Sequence, residues 1–125
     1  MTVASDLKTA LEAFTWVGIT EPTFTLRQIK QTEQKEGYGW VDSGDEQTAQ
    51  CTIEKTFCAE RTTTFEIFIA CKTEANYILY KTNVEAVISA KVVTNGIWTI
   101  TGYPQETWSL NRYNFSLLGK QITWS

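Results

Sequence analysis

Apolar residues recur at Leu7, Ala10, Leu11 and Phe14, the i, i+3, i+4, i+7 spacing of one helix face. The pattern predicts a helix over 4–16, with Ser5 as N-cap, Asp6 in the first turn, and Gly18 and Pro22 beyond its end. A second stripe runs through Tyr77, Tyr80, Val84, Val87 and Ile88. It predicts a helix from Glu74 to Lys91, capped by Thr73, with Lys81 and Glu85 as an exposed i, i+4 pair. Between the two the period drops to two. In "CTIEKTFC", Cys51, Ile53 and Phe57 oppose Thr52, Glu54 and Thr56; in "TTTFEIFIAC", Phe65, Ile67, Ile69 and Cys71 oppose Thr64, Glu66 and Phe68. These read as half-buried antiparallel strands joined by residues 59–61, with Ile67 and Ile69 in the core.

The remaining segments complete the outline. "PTFTLRQIKQTE" is a strand built on Phe24 and Leu26, and the polar stretch from Gln34 to Gln50 reads as a long loop or loose hairpin. "TNG" at 94–96 marks a turn, followed by a strand over 97–102 and a turn around Pro104. From Thr107 to Trp124 the alternation predicts one long strand or a bent pair, with Gly119 as the point of register change. The expected fold is α+β, an antiparallel or mixed sheet of about five strands with two helices packed on one face. No repeat or linker divides residues 1–125, which form a single domain.

Chemistry is conspicuous by what the chain lacks. It holds no histidine, which removes Ser-His-Asp and Cys-His catalysis and the common metal triads. No glycine-rich phosphate loop is present. Cys51, Cys58 and Cys71 are too widely spaced for a zinc knuckle and read as reduced thiols, at least two of them acting as small strand hydrophobes. The acids of "DSGDE", Asp42 to Glu46, fit no EF-hand loop and read as solvated surface. The expectation is therefore a protein that is not an enzyme and needs no cofactor or metal. A net charge of −3, with eleven scattered basic residues, argues against nucleic acid as a partner. No stretch approaches the roughly 18 apolar residues that span a bilayer, and "MTVASDLKTALEAF" lacks the pattern of a secretory signal, so a non-membrane protein assembled inside a cell is expected.

Aromatic residues are in surplus, at 13% of the chain with five tryptophans. Strands expose both faces, and Phe68 opposes Phe65, Ile67 and Ile69, while Ile97 and Thr99 oppose Trp98 and Ile100. Apolar groups on both faces imply that the second face is covered too, by the long loop or by another copy of the chain. Tyr38, Trp40, Phe68, Trp98 and Trp108 are the candidate interface residues.

With its N-terminal helix "ASDLKTALEAF", central strand "TTTFEIFIAC", following helix "TEANYILYKTNVEAVISAK" and final strand "NRYNFSLLGKQITW", the chain resembles the tail terminator, or tail completion, proteins of long-tailed bacteriophages. The likeness spans the chain in size and element order and carries no residue motif. It implies a non-catalytic structural protein of the virion, a tail terminator or head–tail connector. Such a protein assembles in the host cytoplasm into a homo-oligomeric ring and contacts other virion proteins. A different expectation, a small ligand-binding α+β module with an aromatic-lined pocket, follows from the same aromatic residues turned inward.

Overall fold

The computed structural model describes residues 3–26, 36–53, 56–104 and 113–124, and for residues 50–53 and 56–58 it describes the backbone alone. Its elements are α1 (Val3–Ala13), β1 (Thr23–Thr25), β2 (Tyr38–Ile53), β3 (Thr56–Ile69), α2 (Glu74–Ala90), β4 (Gly96–Gly102) and β5 (Phe115–Trp124). The strands form one mixed sheet in the order β1-β2-β3-β5-β4, with β1 parallel to β2 and every other neighbour antiparallel. The α+β fold with five strands is the one the hydrophobic pattern predicts.

Both helices deliver their apolar stripes to the same core. Leu7 and Leu11 of α1 and Tyr80, Val84, Val87 and Ile88 of α2 pack with Val41, Phe65, Ile67, Ile69, Phe115, Leu117 and Trp98 of the sheet. The ends of the helices are tied individually. Thr73 caps α2 by accepting from the Asn76 N–H at 3.2 Å. The Trp16 indole donates to the Leu11 carbonyl at 2.9 Å, satisfying one of the orphan acceptors at the end of α1. Buried Asn83 accepts from the Val17 N–H (2.9 Å) and donates to the Val17 carbonyl (3.1 Å), so α2 clamps the segment that follows α1. Lys91 reaches Asp6 at 3.2 Å and lies over the Trp98 ring at 5.2 Å, linking α1, the end of α2 and β4.

Several sequence expectations need correction. Helix α1 begins at Val3, so Ser5 lies inside it, where its carbonyl accepts from the Thr9 hydroxyl. Lys81 and Glu85 do not simply face solvent as a pair. Tyr103 sits between them, donating to Glu85 at 2.7 Å while the Lys81 ammonium lies 4.6 Å from its ring centre. The polar stretch expected to be a loop is most of β2, and β3 runs unbroken through residues 59–61. The pairing of β2 with β3 continues from Gly39↔Ile69 to Ile53↔Thr56, with one bulge between Ser43 and Glu46. Gly119 sits at a register change on one side alone: β5 pairs with β3 without interruption from Glu60↔Trp124 to Ile69↔Phe115, whereas its pairing with β4 shifts between Ile100↔Gly119 and Gly102↔Leu118. The glycine is there for space: a Cβ would sit 2.6 Å from the Phe65 ring and 2.7 Å from the Thr99 carbonyl. Of the stretch expected to continue this strand toward Thr107, residues 105–112 lie outside the described residues.

Burial sets one measurable property of this core. Burial pushes the Cys71 thiol from its ordinary 9.0 up to about 11 and the Tyr80 phenol from 10.0 up to about 12. Tyr103 rises to about 12, first through burial and then through its bond to Glu85. Folding holds all three protonated where the unfolded chain would ionise them. Their contribution is therefore complete below pH 9 and is lost as pH climbs through 11 to 12. Urea unfolding is expected to give a flat midpoint up to about pH 9 and a falling one from there to about 12. Cys71→Ala lowers the plateau and flattens the fall; an equally steep fall in the variant would remove Cys71 from the account.

Candidate interaction face

The register sorts every strand residue to one side of the sheet. Trp40, Phe68 and Ser116 are opposed in one row across β2, β3 and β5, on the face turned away from the helices. Trp40 and Phe68 stack with ring centres 5.5 Å apart and planes 12° apart, and with Ala70 they form a second buried cluster separate from the main core. Apolar groups thus occupy both faces, as the alternation predicts.

The expected interface residues divide. Tyr38, at the start of β2, is 44% exposed. Trp40 and Phe68 are 4% and 1% exposed, covered within the chain and committed to their mutual stack. Trp98 belongs to the helix-covered face: it is 7% exposed, its ring lies 5.8 Å from that of Phe65, and its indole donates to Gln121 at 2.8 Å. These three are core residues rather than free contact surface. Trp108 lies outside the described residues.

Further along the far face, β4 and β5 carry exposed apolar side chains. Ile97 is 47% exposed and opposes half-buried Ile122, while Leu118 and Trp124 are 39% and 41% exposed. Residues 118, 122 and 124 share the parity of Ser116, and the register carries Ile97 onto the same face. Trp124 is held rather than frayed. Its N–H donates to the Asn95 carbonyl at 2.9 Å and its indole to Glu60 at 3.2 Å. Asn95 supplies the left-handed residue (φ 53°) of the expected "TNG" turn. Leu118 and Trp124 went unselected in the sequence because alternation alone does not say where the helices end. The parity switch from Phe115 and Leu117 to Ile122 and Trp124 was the available signal.

Three buried polar atoms also gather on this side of the sheet. Among the described residues the Trp40 Nε1, the Ser116 Oγ and the Asn114 Nδ2 have no hydrogen-bond partner, although the Asn114 Oδ1 accepts from the Cys71 N–H at 3.1 Å. A buried hydroxyl without a partner costs its desolvation, so Ser116→Ala is expected to stabilise the fold by about 1 kcal/mol. A shift of the urea midpoint upward checks it; a loss of stability would mean that the hydroxyl is bonded after all.

Chemistry is sparse. A cleft of about 240 Å³ at the β2 bulge is lined by Asp42, Ser43, Gly44, Thr64, Phe65, Glu66 and Leu118. Asp42 and Glu66 are cross-strand partners, and Asp42 accepts from the Ser43 N–H at 2.9 Å. Among the described residues no group of three His, Cys, Asp or Glu is placed to hold a metal, and no helix is long and apolar enough to cross a membrane. No protein-family model matches the chain, and no curated protein matches it significantly.

Proposed function

We propose that this is a non-catalytic structural protein of phage type, a tail terminator or head–tail connector, which assembles into a homo-oligomeric ring within the virion. The observation that carries the reading is the exposure of Ile97, Leu118 and Trp124 on one face of the two strands at one edge of the sheet, with Thr99 and Lys120 paired between Leu118 and the other two. Large apolar side chains grouped on one face mark association surfaces, and a head-to-tail contact closes into a ring when its rotation divides the circle. Among the described residues the ligand-module reading finds less support. The bulge cleft carries two carboxylates and two hydroxyls beside a single aromatic, and a second hollow of about 210 Å³ is lined by Ala10, Ala13, Phe14, Val87, Ala90 and Lys91. Neither is a pocket of clustered aromatics.

Native mass spectrometry tests the proposal. A closed assembly of identical chains is expected at tens of micromolar, and Ile97→Lys combined with Leu118→Lys, the latter position opposite Glu66, is expected to reduce it to monomer without unfolding the subunit. A wild-type chain that stays monomeric under those conditions would sink the ring.

A further inference from the structure

The outer part of the β2–β3 hairpin is a two-stranded ribbon. Strand β5 reaches no further along β3 than Glu60, and β1 pairs only with Tyr38, Gly39 and Trp40. Beyond Ala49↔Glu60, the described backbone of β2 and β3 is paired strand to strand alone, and ribbons of two strands are marginal in water. Within this ribbon the register sets Cys51 directly opposite Cys58.

Directly opposed residues of an antiparallel pair share a face, and their Cα atoms stand about 4.5 or about 5.5 Å apart, depending on the hydrogen-bonding position. Disulfides span Cα separations of about 4.4 to 6.8 Å, so either position lies within reach of a bridge. We propose that Cys51 and Cys58 are a cross-strand redox pair, whose disulfide locks the register of the outer hairpin. The inference is independent of the proposed ring, since it rests on strand pairing alone.

The step balances with a small-molecule disulfide such as oxidised glutathione as oxidant. One cysteine thiolate attacks a glutathione sulfur, forming a mixed disulfide and expelling one glutathione thiolate. The second cysteine thiolate attacks the protein sulfur of that mixed disulfide, closing the Cys51–Cys58 bond and expelling the other. The two cysteines lose two electrons, the oxidant gains them, and the two thiol protons end on two glutathione molecules. Cys71 is a built-in control: it is fully buried, and a thiol pushed up to about 11 offers little thiolate at neutral pH.

The test equilibrates the folded full-length chain with glutathione buffers of graded ratio, quenches with acid, and alkylates under denaturing conditions. Titratable thiols are expected to fall from three to one, with Cys71 the survivor. Trypsin cuts after Lys55, so residues 36–55 and 56–61 should travel as one species until reductant is added. The same equilibration in concentrated guanidinium separates register from mere nearness in sequence. The folded chain is expected to close the bridge at a glutathione ratio at least tenfold more reducing. Cys51→Ser and Cys58→Ser should each leave the remaining partner as a glutathione adduct. Three thiols persisting in the folded chain, linkage through Cys71 or between chains, or equal closure in guanidinium would each overturn the proposal.

Discussion

Gly39→Ala is expected to cost the fold about 3 kcal/mol or more, a large share of the roughly 5 to 15 kcal/mol that holds a domain folded. A Cβ at this position would lie 2.0 Å from the Phe68 carbonyl oxygen, 3.1 Å from its carbon and 3.2 Å from the Ile69 Cα. All three are backbone atoms of the neighbouring strand, so no rotamer change relieves the contact. The strands would have to part at a place where both faces of the sheet depend on them. Val41 and Ile67 lie two positions away on the helix side, and the Trp40–Phe68 stack lies beside them on the other. Gly102→Ala is the matched control: a Cβ there meets nothing within 4 Å. It should be neutral, or stabilising by about 0.5 kcal/mol through the unfolded chain. Circular dichroism followed by urea titration of both variants decides the matter; similar midpoints for the two would remove the clash from consideration.

Much of this architecture was legible in the sequence, and the failures have physical causes. Helix stripes, the Thr73 cap, the "TNG" turn and the burial of Ile67 and Ile69 follow from local rules that operate without tertiary context. Strand β2 escaped because much of it is wet. Residues 46–49 are exposed on successive positions, so no alternation remains to be read, and its strand state is supplied by pairing with β3. The same pairing hid the Cys51–Cys58 relation, since spacing along a chain says nothing about register until the hairpin is aligned. Trp40, Phe68 and Trp98, expected at an interface, lie buried within the chain for a different reason. Periodicity sorts residues into two faces without saying which face is covered, and both faces here are covered in part. Leu118, Ile97 and Trp124 stay uncovered because the main core on the opposite side draws its β4 and β5 residues from Trp98, Phe115 and Leu117.

Trp40→Ala is expected to remove about 3 to 5 kcal/mol, the range for emptying a large aromatic from a closed core. Its ring is 4% exposed and stacked on Phe68, and among the described residues the one other member of the far-face cluster is Ala70, which cannot fill the space. Trp40→Phe separates packing from polarity. The smaller ring retains the stack and deletes an indole N–H that has no partner among the described residues. Lost area and the relieved desolvation act in opposite directions and are of similar size, so this variant should stay within about 1.5 kcal/mol of the parent. Chemical denaturation of both variants measures the contrast. If Trp40→Phe fell as far as Trp40→Ala, the indole N–H would have to be making a strong bond. The pair also distinguishes the cluster from the association surface. Trp40→Phe should leave the assembly mass unchanged, whereas the charged Ile97 and Leu118 variant should abolish assembly and leave the subunit folded. A tryptophan already committed to its own sheet cannot also be the contact that joins one subunit to the next.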